Sequence, residues 1–365
     1  MTWRAAFVAD VHLANHRRFG GVTRAGRNER CRQIESVLLS AVDLAVGRGV
    51  DNLVVLGDLF DTSKPSVGEL YGAMSVLAAA PHPLLLLGNH DLTSDADTDN
   101  ALAPFHWHPT DAVLDRPAVT ANYAAIPFRV GAASDWLPRA LEAEAAAIRE
   151  LRPRTLLLHL GISDEETPDF MRASADSVSA QQLFDLMRHY GFEYAYAGNW
   201  HTPKQWHDGA RFITQCGALV PTGFDNPGLN YGKVVLHTDG RAPEVVSIPG
   251  PRFLRSVFED FDQTELPDLS AGGERIYLSF IAQPDRLAAA RAKLAELIAA
   301  GVVVDGEVKA DRVAANAAAR GAARLARSAP SIDAAVDSYV ARFALPDGAS
   351  RGEVLALVRR YLASS

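Results

Sequence analysis

Four consecutive leucines, Leu84 to Leu87, run directly into Gly88-Asn89-His90-Asp91. The apolar run is too short for a helix and reads as a buried strand. A glycine ends it, and three polar side chains follow in consecutive positions. In open α/β sheets, ligands gather outside the carboxyl ends of the strands, so this stretch constrains both fold and site. Four other stretches share the design. Ala5-Ala6-Phe7-Val8-Ala9 leads to Asp10-Val11-His12, and Leu53 to Leu56 leads to Gly57-Asp58. Thr155 to Leu158 ends in His159, and Tyr194 to Ala197 ends in Gly198-Asn199-Trp200-His201. Side chains alternate along extended chain, so Asp10 and His12 are expected on one face.

Helical patterns separate these strands. One runs from Ile34 to Ala45 and stops near Gly47 to Gly49, and another covers about Val67 to Ala79. The β-α-β-α-β order implies parallel strands joined by right-handed crossovers. Phe105 to Arg129 reads as short strands and turns, Glu142 to Leu151 as an alanine-rich helix, and Ala180 to Tyr190 as another helix. Strands at Arg211 to Gln215 and Lys233 to His237 flank a glycine- and proline-rich loop, Pro221 to Gly232. Ile248-Pro249-Gly250-Pro251 marks a boundary between a domain of residues 1–250 and a small α/β cap of residues 251–305, built from a strand at 276–281 and a helix at 285–300. Residues 306–365 read as a helical linker, 310–327, and two amphipathic helices, 332–343 and 351–362.

The net charge of −8 argues against a protein that holds nucleic acid by bulk charge alone. It leaves room for metal ions and a local basic patch. Residues 16–32 supply such a patch, with arginines at 17, 18, 24, 27, 30 and 32 against one glutamate. No apolar run approaches the length of a membrane span, and Met1-Thr2-Trp3-Arg4 leads into a strand without a signal-peptide pattern. Cys31 and Cys216 have no CxxC spacing and read as reduced thiols. A cytoplasmic protein is expected.

Asp10, His12, Asp58, Asn89, His90, His159, Asn199 and His201 thus lie at or just past strand ends. Oxygen and imidazole donors without thiolate suit Mn²⁺, Fe or Zn in a hydrolytic site. A carboxylate such as Asp58 can bridge two ions about 3.5–4 Å apart, an arrangement that clamps both oxygens of an in-line displacement.

The motifs Asp-Val-His (10–12), Gly-Asp-Leu-Phe-Asp (57–61), Gly-Asn-His-Asp (88–91), the lone His159 and Gly-Asn-Trp-His (198–201) resemble those of the calcineurin-like metallophosphoesterases. Within that superfamily, Ala-Asp-Val-His-Leu (9–13), Gly-Asp-Leu-Phe-Asp-Thr (57–62) and Pro65 look most like SbcD, the nuclease subunit of bacterial and phage SbcCD exonucleases. The match covers roughly residues 5 to 250. It implies a four-layer αββα sandwich and two divalent ions, with Mn²⁺ favoured and Fe, Zn or Mg as alternatives. Asp10, His12, Asp58 and His201 would hold the first ion. Asp58, Asn89, His159 and Asn199 would hold the second. His90 would stabilise the transition state or protonate the leaving oxygen, and Asp91 would fix the His90 tautomer through a ring nitrogen. The usual last motif is Gly-His-x-His, so Asn199 is a departure that implies a weaker second metal.

The resemblance also implies a DNA exonuclease with some single-strand endonuclease activity, working with an SbcC-type ATPase. A homodimer is left open, and no membrane association is expected. Arg17, Arg18, Arg24 and Arg27 are the candidate contacts to DNA phosphates. Two rival functions stand beside this one: a phosphoesterase acting on a small molecule or phosphoprotein, and a non-catalytic DNA-binding scaffold. Other features read as structural. His106 and His108 suit a loop contact, His207 lies beside a hairpin turn at Asp208-Gly209, and Trp200 suits packing.

Overall fold

The computed structural model describes residues 2–93, 100–107, 113–224, 232–263, 266, 275–311, 350, 352, 353 and 356. The first half of the chain contains strands β1 (Arg4–Val8), β2 (Asn52–Leu56), β3 (Leu84–Leu86), β4 (Val113–Leu114), β5 (Ala118–Val119) and β6 (Tyr123–Ile126), with helices α1 (Glu29–Arg48) and α2 (Val67–Leu77) between the first three. Helices α3 (Ala133–Ala143) and α4 (Ala145–Leu151) follow, then β7 (Thr155–His159), β8 (Gly161–Ser163), α5 (Asp169–Arg172), β9 (Ser177–Ser179), α6 (Ala180–Tyr190) and β10 (Tyr194–Gly198). The remainder comprises β11 (Lys204–Asp208), β12 (Arg211–Gln215), β13 (Lys233–Thr238), β14 (Glu244–Ser247), β15 (Arg252–Val257), β16 (Ile276–Ala282), α7 (Leu287–Ala299) and β17 (Asp305–Ala310).

Two six-stranded sheets dominate, in the orders β14-β13-β1-β2-β3-β4 and β11-β12-β10-β7-β6-β5. Neighbouring strands run parallel from β1 to β4 and from β6 through β7 and β10 to β12, so the carboxyl ends of the central strands emerge together. Alternation along each strand builds four layers. Phe7, Leu157 and Tyr196 point between the sheets, and the Phe7 and Tyr196 rings stack with centroids 4.0 Å apart. Ala6 and Val8 point the other way, onto a core with Ile34, Leu38 and Val76 from α1 and α2. Leu156, Leu158, Ala195 and Ala197 likewise pack on Leu137, Ile148 and Leu183 from α3, α4 and α6. The expected αββα sandwich is therefore the fold, with the parallel core of each mixed sheet covered on both faces.

Local chemistry fixes the helix ends. The Asn28 side chain accepts from the Cys31 amide at the start of α1, and Gly49 closes that helix in the left-handed region. Ser66 with Glu69 and Ser179 with Gln182 form capping boxes at α2 and α6. One expectation needs correction. The helix expected at Glu142 to Leu151 is two helices; α3 starts at Ala133, carries Pro138 inside it, and gives way to α4 at Glu144. The hairpin beside His207 is present, with Asp208 paired to Arg211 across the turn.

The chain divides into two compact units, residues 1–280 with 293–307 and residues 281–292 with 308–365. Strands β15, β16 and β17 form a three-stranded sheet in chain order, and α7 lies between β16 and β17 in the sequence. Nearly all of the linker expected at 310–327 and of the terminal helices expected at 332–343 and 351–362 lies outside the described residues, as does His108. No helix among the described residues is long and apolar enough to cross a membrane.

Candidate metal centre

Strands β1, β2 and β3 of one sheet and β7 and β10 of the other deliver the polar motifs to one place. Asp10, His12 and His201 offer donor atoms within 4.8 Å of one another, and so do Asp10, Asp58 and His159. The two trios share Asp10. His12 Nε2 lies 3.0 Å from His201 Nε2, and His159 Nε2 lies 3.4 Å from Asp58 Oδ2 and 2.9 Å from Asn89 Oδ1. The Asn199 amide N–H donates to both oxygens of Asp10, at 2.9 and 3.1 Å. The side chains of Asp10, His12, Asp58, Asn89, His159 and His201 thus meet in one place, and Asn199 joins them through its main-chain N–H. Asp10 and His12 converge through left-handed backbone, at φ 50° and 49°, and not by the alternation of an extended strand.

Two glycines make close approaches possible, Gly57 between the sheets and Gly88 between neighbouring strand ends of one sheet. A Cβ on Gly57, itself at φ 88°, would fall 2.0 Å from His159 Nδ1. A Cβ on Gly88 would fall 2.1 Å from Asp58 Oδ1. Side-chain-free positions at these two strand ends let a carboxylate and an imidazole lie against backbone.

His90 stands at the rim, its ring 4.8 Å from the His12 ring in an edge arrangement, and its N–H donates to Asp58 Oδ1 at 2.9 Å. Its Nδ1 lies 3.0 Å from the Asp61 carbonyl oxygen. A carbonyl only accepts, so Nδ1 carries the hydrogen and Nε2 is left to act. This corrects the role expected of Asp91. The Asp91 carboxylate is buried and accepts from the amides of Asp58, Phe60 and Gly88 at 3.0, 3.2 and 3.0 Å. It anchors the two loops that carry Asp58 and His90, and among the described residues it holds no ring nitrogen.

Asp61 is the residue that sequence reasoning missed. Its Oδ1 lies 3.1 Å from His12 Nδ1, off the line of a good hydrogen bond, and its Oδ2 lies 3.8 Å from His16 Nδ1. His12, Asp61 and His90 form a third group of donors within 4.8 Å of one another. The signal was in the sequence: Asp61 stands three residues after Asp58 in the Gly-Asp-Leu-Phe-Asp motif.

Charge in this cluster is finely opposed. Burial pushes the Asp10 carboxyl up, with Asp58 adding to the effect and His159, His201 and His12 opposing it. Burial would also raise Asp58, but His159, His12 and His90 outweigh it and hold that carboxyl below the usual range. Burial lowers His159, yet Asp58, Asp10 and the Leu56 carbonyl lift it to about 9. Left to itself, the cluster balances buried carboxylates with imidazole protons. A divalent cation meets the same need better, because it neutralises the carboxylates while the imidazoles give up their protons to coordinate. Paired ring nitrogens 3.0 Å apart beside two buried carboxylates are a donor set that fits such an ion.

The arginine-rich segment is folded onto this centre. The His16 Nε2 lies 3.1 Å from the His12 carbonyl, Asn28 Nδ2 donates to the His16 carbonyl at 2.8 Å, and the Asn28 amide donates to Asn15 Oδ1 at 2.8 Å. Of the four candidate DNA contacts, Arg17 and Arg24 are exposed and have no side-chain partner among the described residues. Arg18 is paired with Glu307, and Arg27 with Glu35 at 2.9 Å. Arg30 is buried, donating to the Pro221 and Thr222 carbonyls at 3.0 and 2.7 Å and lying 4.6 Å from the Phe253 ring centroid. Trp200 packs against Gly161, and His106 pairs with Asp115 at 2.9 Å, both as structural contacts.

A family model described as calcineurin-like phosphoesterase matches residues 4–214. Similar solved structures include the TT1561 protein of Thermus thermophilus, with a TM-score of 0.43, 13% identity, and coverage of 68% of this chain and 99% of that one. A dimetal phosphatase from Danio rerio gives a TM-score of 0.43, 13% identity, and coverage of 67% and 98%. A conserved uncharacterized protein, a predicted phosphoesterase, from Streptococcus pneumoniae TIGR4 gives 0.31, 11%, and coverage of 68% and 90%.

Proposed function

From the premise that this chain belongs to the calcineurin-like phosphoesterase family over residues 4–214, we propose that it is an SbcD-like nuclease that hydrolyses phosphodiester bonds in DNA. The coarser activity, that of a metallophosphoesterase, follows from the family and from the donor cluster. The choice of DNA rests on one observation. Segment 15–28 is tied to the centre through His16 and Asn28, and it carries the exposed, unpartnered Arg17 and Arg24. Exposed guanidinium groups on a segment tied to the centre suit the phosphates that flank a scissile bond in a polymer.

Asp10, His12, Asp58 and His201 would hold one divalent ion, and Asp58, Asn89, His159 and Asn199 a second. Manganese is the favoured identity. Such ions supply two things when bound: a water acidified enough to attack at neutral pH, and positive charge against the phosphoryl oxygens. The chain's own residues do the rest. Asp58 is held rigid by the His90 amide and by the loop that Asp91 anchors. His90 presents Nε2 outward because Asp61 fixes its Nδ1–H. As an imidazolium, His90 can donate that Nε2 proton to the departing 3′-oxygen. Partnership with an SbcC-type ATPase is part of this proposal and rests on the motif resemblance. A cytoplasmic setting accords with two unpaired thiols, Cys31 and Cys216.

The test is cleavage of linear double-stranded and single-stranded DNA by the purified chain with Mn²⁺, beside an Asp58→Asn control. Cleavage that vanishes in the control supports the proposal, and the products report polarity. A chain that hydrolyses a small aryl phosphate but leaves both DNA forms intact, with and without the ATPase, is a phosphoesterase of another substrate class.

A further inference from the structure

Helix α1 carries a polar stripe besides the apolar one it buries on the sheet. Glu29, Arg32, Gln33, Ser36 and Ser40 recur at helical spacing and line a cavity of about 360 Å³, a volume in the range of small-ligand sites. The turn 249–251 and Arg275 complete the lining, which contains none of the metal donors. Its two guanidinium groups are held by neutral oxygens. Arg32 Nη1 donates to the Arg27 carbonyl at 2.9 Å, and Nη2 to the Val22 carbonyl at 3.4 Å. The Gln33 amide, in the orientation that satisfies its neighbours, accepts from Arg275 Nε and Nη1 at 3.3 Å each and donates to the Tyr277 hydroxyl at 2.9 Å. With five N–H groups on each guanidinium, both arginines keep donors to spare. Arg27, just before α1, pairs with Glu35, and Arg48, at the end of α1, pairs with Glu244. Among the described residues, neither Arg32 nor Arg275 has such a carboxylate partner. Glu29 is the one carboxylate in the lining, so the cavity keeps a net positive charge.

We propose that this cavity is a phosphate-binding site separate from the metal centre, gripped by Arg32 and Arg275. Ser36 is exposed, and its hydroxyl, without a partner among the described residues, adds a third donor. A carboxylate offers two oxygens in one plane, whereas a phosphoryl group offers three and can meet donors from a helix face and from Arg275 together. Phosphate esters come from two sources, the backbone of a polynucleotide and a small phosphorylated molecule. Arg32 ties the cavity to the Val22 and Arg27 carbonyls, in the segment that bears Arg17 and Arg24. That continuity points to the polynucleotide, a choice that rests on the DNA reading above; the phosphate site itself does not. A backbone phosphate held here is not the one cleaved. The site grips the strand before and during reaction alike, so its loss raises KM and leaves kcat.

Thermal melts of the full chain in chelator test the site with no metal to bind the anion, inorganic phosphate being titrated against chloride at matched ionic strength. The melting temperature of the parent should rise and saturate. Arg275→Gln removes one guanidinium, and Ser36→Asp puts a carboxylate into the lining, both at exposed positions. Each should weaken phosphate by about tenfold or more, and the melt in chloride alone reports that each variant folds. No saturating rise in the parent, or the same rise in both folded variants, would overturn the proposal. Anisotropy of a labelled single-stranded oligonucleotide, in the same chelator, separates the sources. For a polynucleotide, Arg275→Gln should weaken binding about tenfold and lower the salt slope by about 0.7, the share of one phosphate contact. If phosphate and a nucleoside 5′-monophosphate bind as expected while oligonucleotide affinity is unmoved in both variants, the site stands and the polynucleotide source is overturned. Neither arm depends on cleavage, so failure of the nuclease reading shows separately, in the cleavage assay.

Discussion

Replacing Asp91 by asparagine separates an anchoring role from a catalytic one. Asp91 Oδ2 accepts from the amides of Asp58 and Gly88 at 3.0 Å each, and Oδ1 accepts from Phe60 at 3.2 Å. Asparagine has the same shape but one acceptor oxygen. With that oxygen at the Oδ2 position, two bonds survive and the new NH₂ group faces the Phe60 amide, donor against donor. A lost bond to a charged acceptor is worth about 1.5–3 kcal/mol, and a stranded buried donor costs about 1–3 kcal/mol. Part of this is returned. Burial and the Asp58 charge hold the Asp91 carboxyl up to about 6, so a neutral side chain relieves strain that the carboxylate carries. The net loss should be about 2 kcal/mol, a shift of roughly 30-fold in the unfolding equilibrium. Asp91→Ala strands all three amides and should cost about 4 kcal/mol or more. Urea denaturation followed by tryptophan fluorescence reads both, as a lower midpoint at unchanged slope. A stability within about 0.5 kcal/mol of the parent for Asp91→Asn, joined to a displaced pH profile of hydrolysis, would refute the anchor and restore contact with the His90 ring.

Gly88→Ala places a Cβ 2.1 Å from Asp58 Oδ1 and 2.3 Å from the Asp58 amide nitrogen; it should destabilise by roughly 1–3 kcal/mol and abolish Mn²⁺ binding, and calorimetry showing intact binding would contradict the packing argument. Burial, with Glu35 adding to it, pushes the Cys31 thiol up to about 12, and burial raises Cys216 as well. Neither should react with iodoacetamide in the folded chain, while denaturant should expose both; rapid native labelling would be inconsistent with that burial. His237 is buried between the Tyr196 hydroxyl, 2.9 Å from its Nδ1, and Asp239, 3.2 Å from its Nε2. Burial lowers its pKa below 6.5, with Arg154 adding to the fall and Asp239 opposing it. The unfolded chain then binds the proton first, so stability should fall as pH drops below 6.5 toward the folded value. Thermal melts of His237→Gln should show a shallower acid-side slope, and an unchanged slope would exclude His237 as its source.

The strands and their cargo were legible because the physics is local. Leu84 to Leu86 and Leu156 to Leu158 are apolar on both faces, as suits central parallel strands, and the ligands lie where such runs stop. What escaped the sequence depends on distance. Pro138 reads as a helix breaker, yet it lies inside α3, whose Trp136, Leu137 and Leu141 pack in the helix–sheet core. Arg30 looks like one more solvated arginine, but it is buried by aromatic rings and carbonyls about 190 to 250 positions away. Asp91 looks catalytic because it follows His90. The turn at 88–91 carries its carboxylate back onto the Asp58 and Phe60 amides, a closure that no single-chain pattern announces.

The left-handed backbone at the centre limits the chemistry open to its descendants. Asp10, His12, Asp58 and Asn199 sit at φ 50°, 49°, 52° and 92°. Among residues other than glycine, asparagine, aspartate and histidine enter this region most readily. Each of the four positions therefore filters for the same short alphabet twice, once for a donor atom and once for a tolerable main chain. Glutamate would keep the charge of Asp10 or Asp58 and fail the second filter, as would a longer donor such as glutamine at Asn199. Exchange among Asp, Asn and His passes both. Variants that retune metal preference without unmaking the fold are thus confined to single-letter moves within that set, and a library restricted to those three residues at these four positions spans the accessible range.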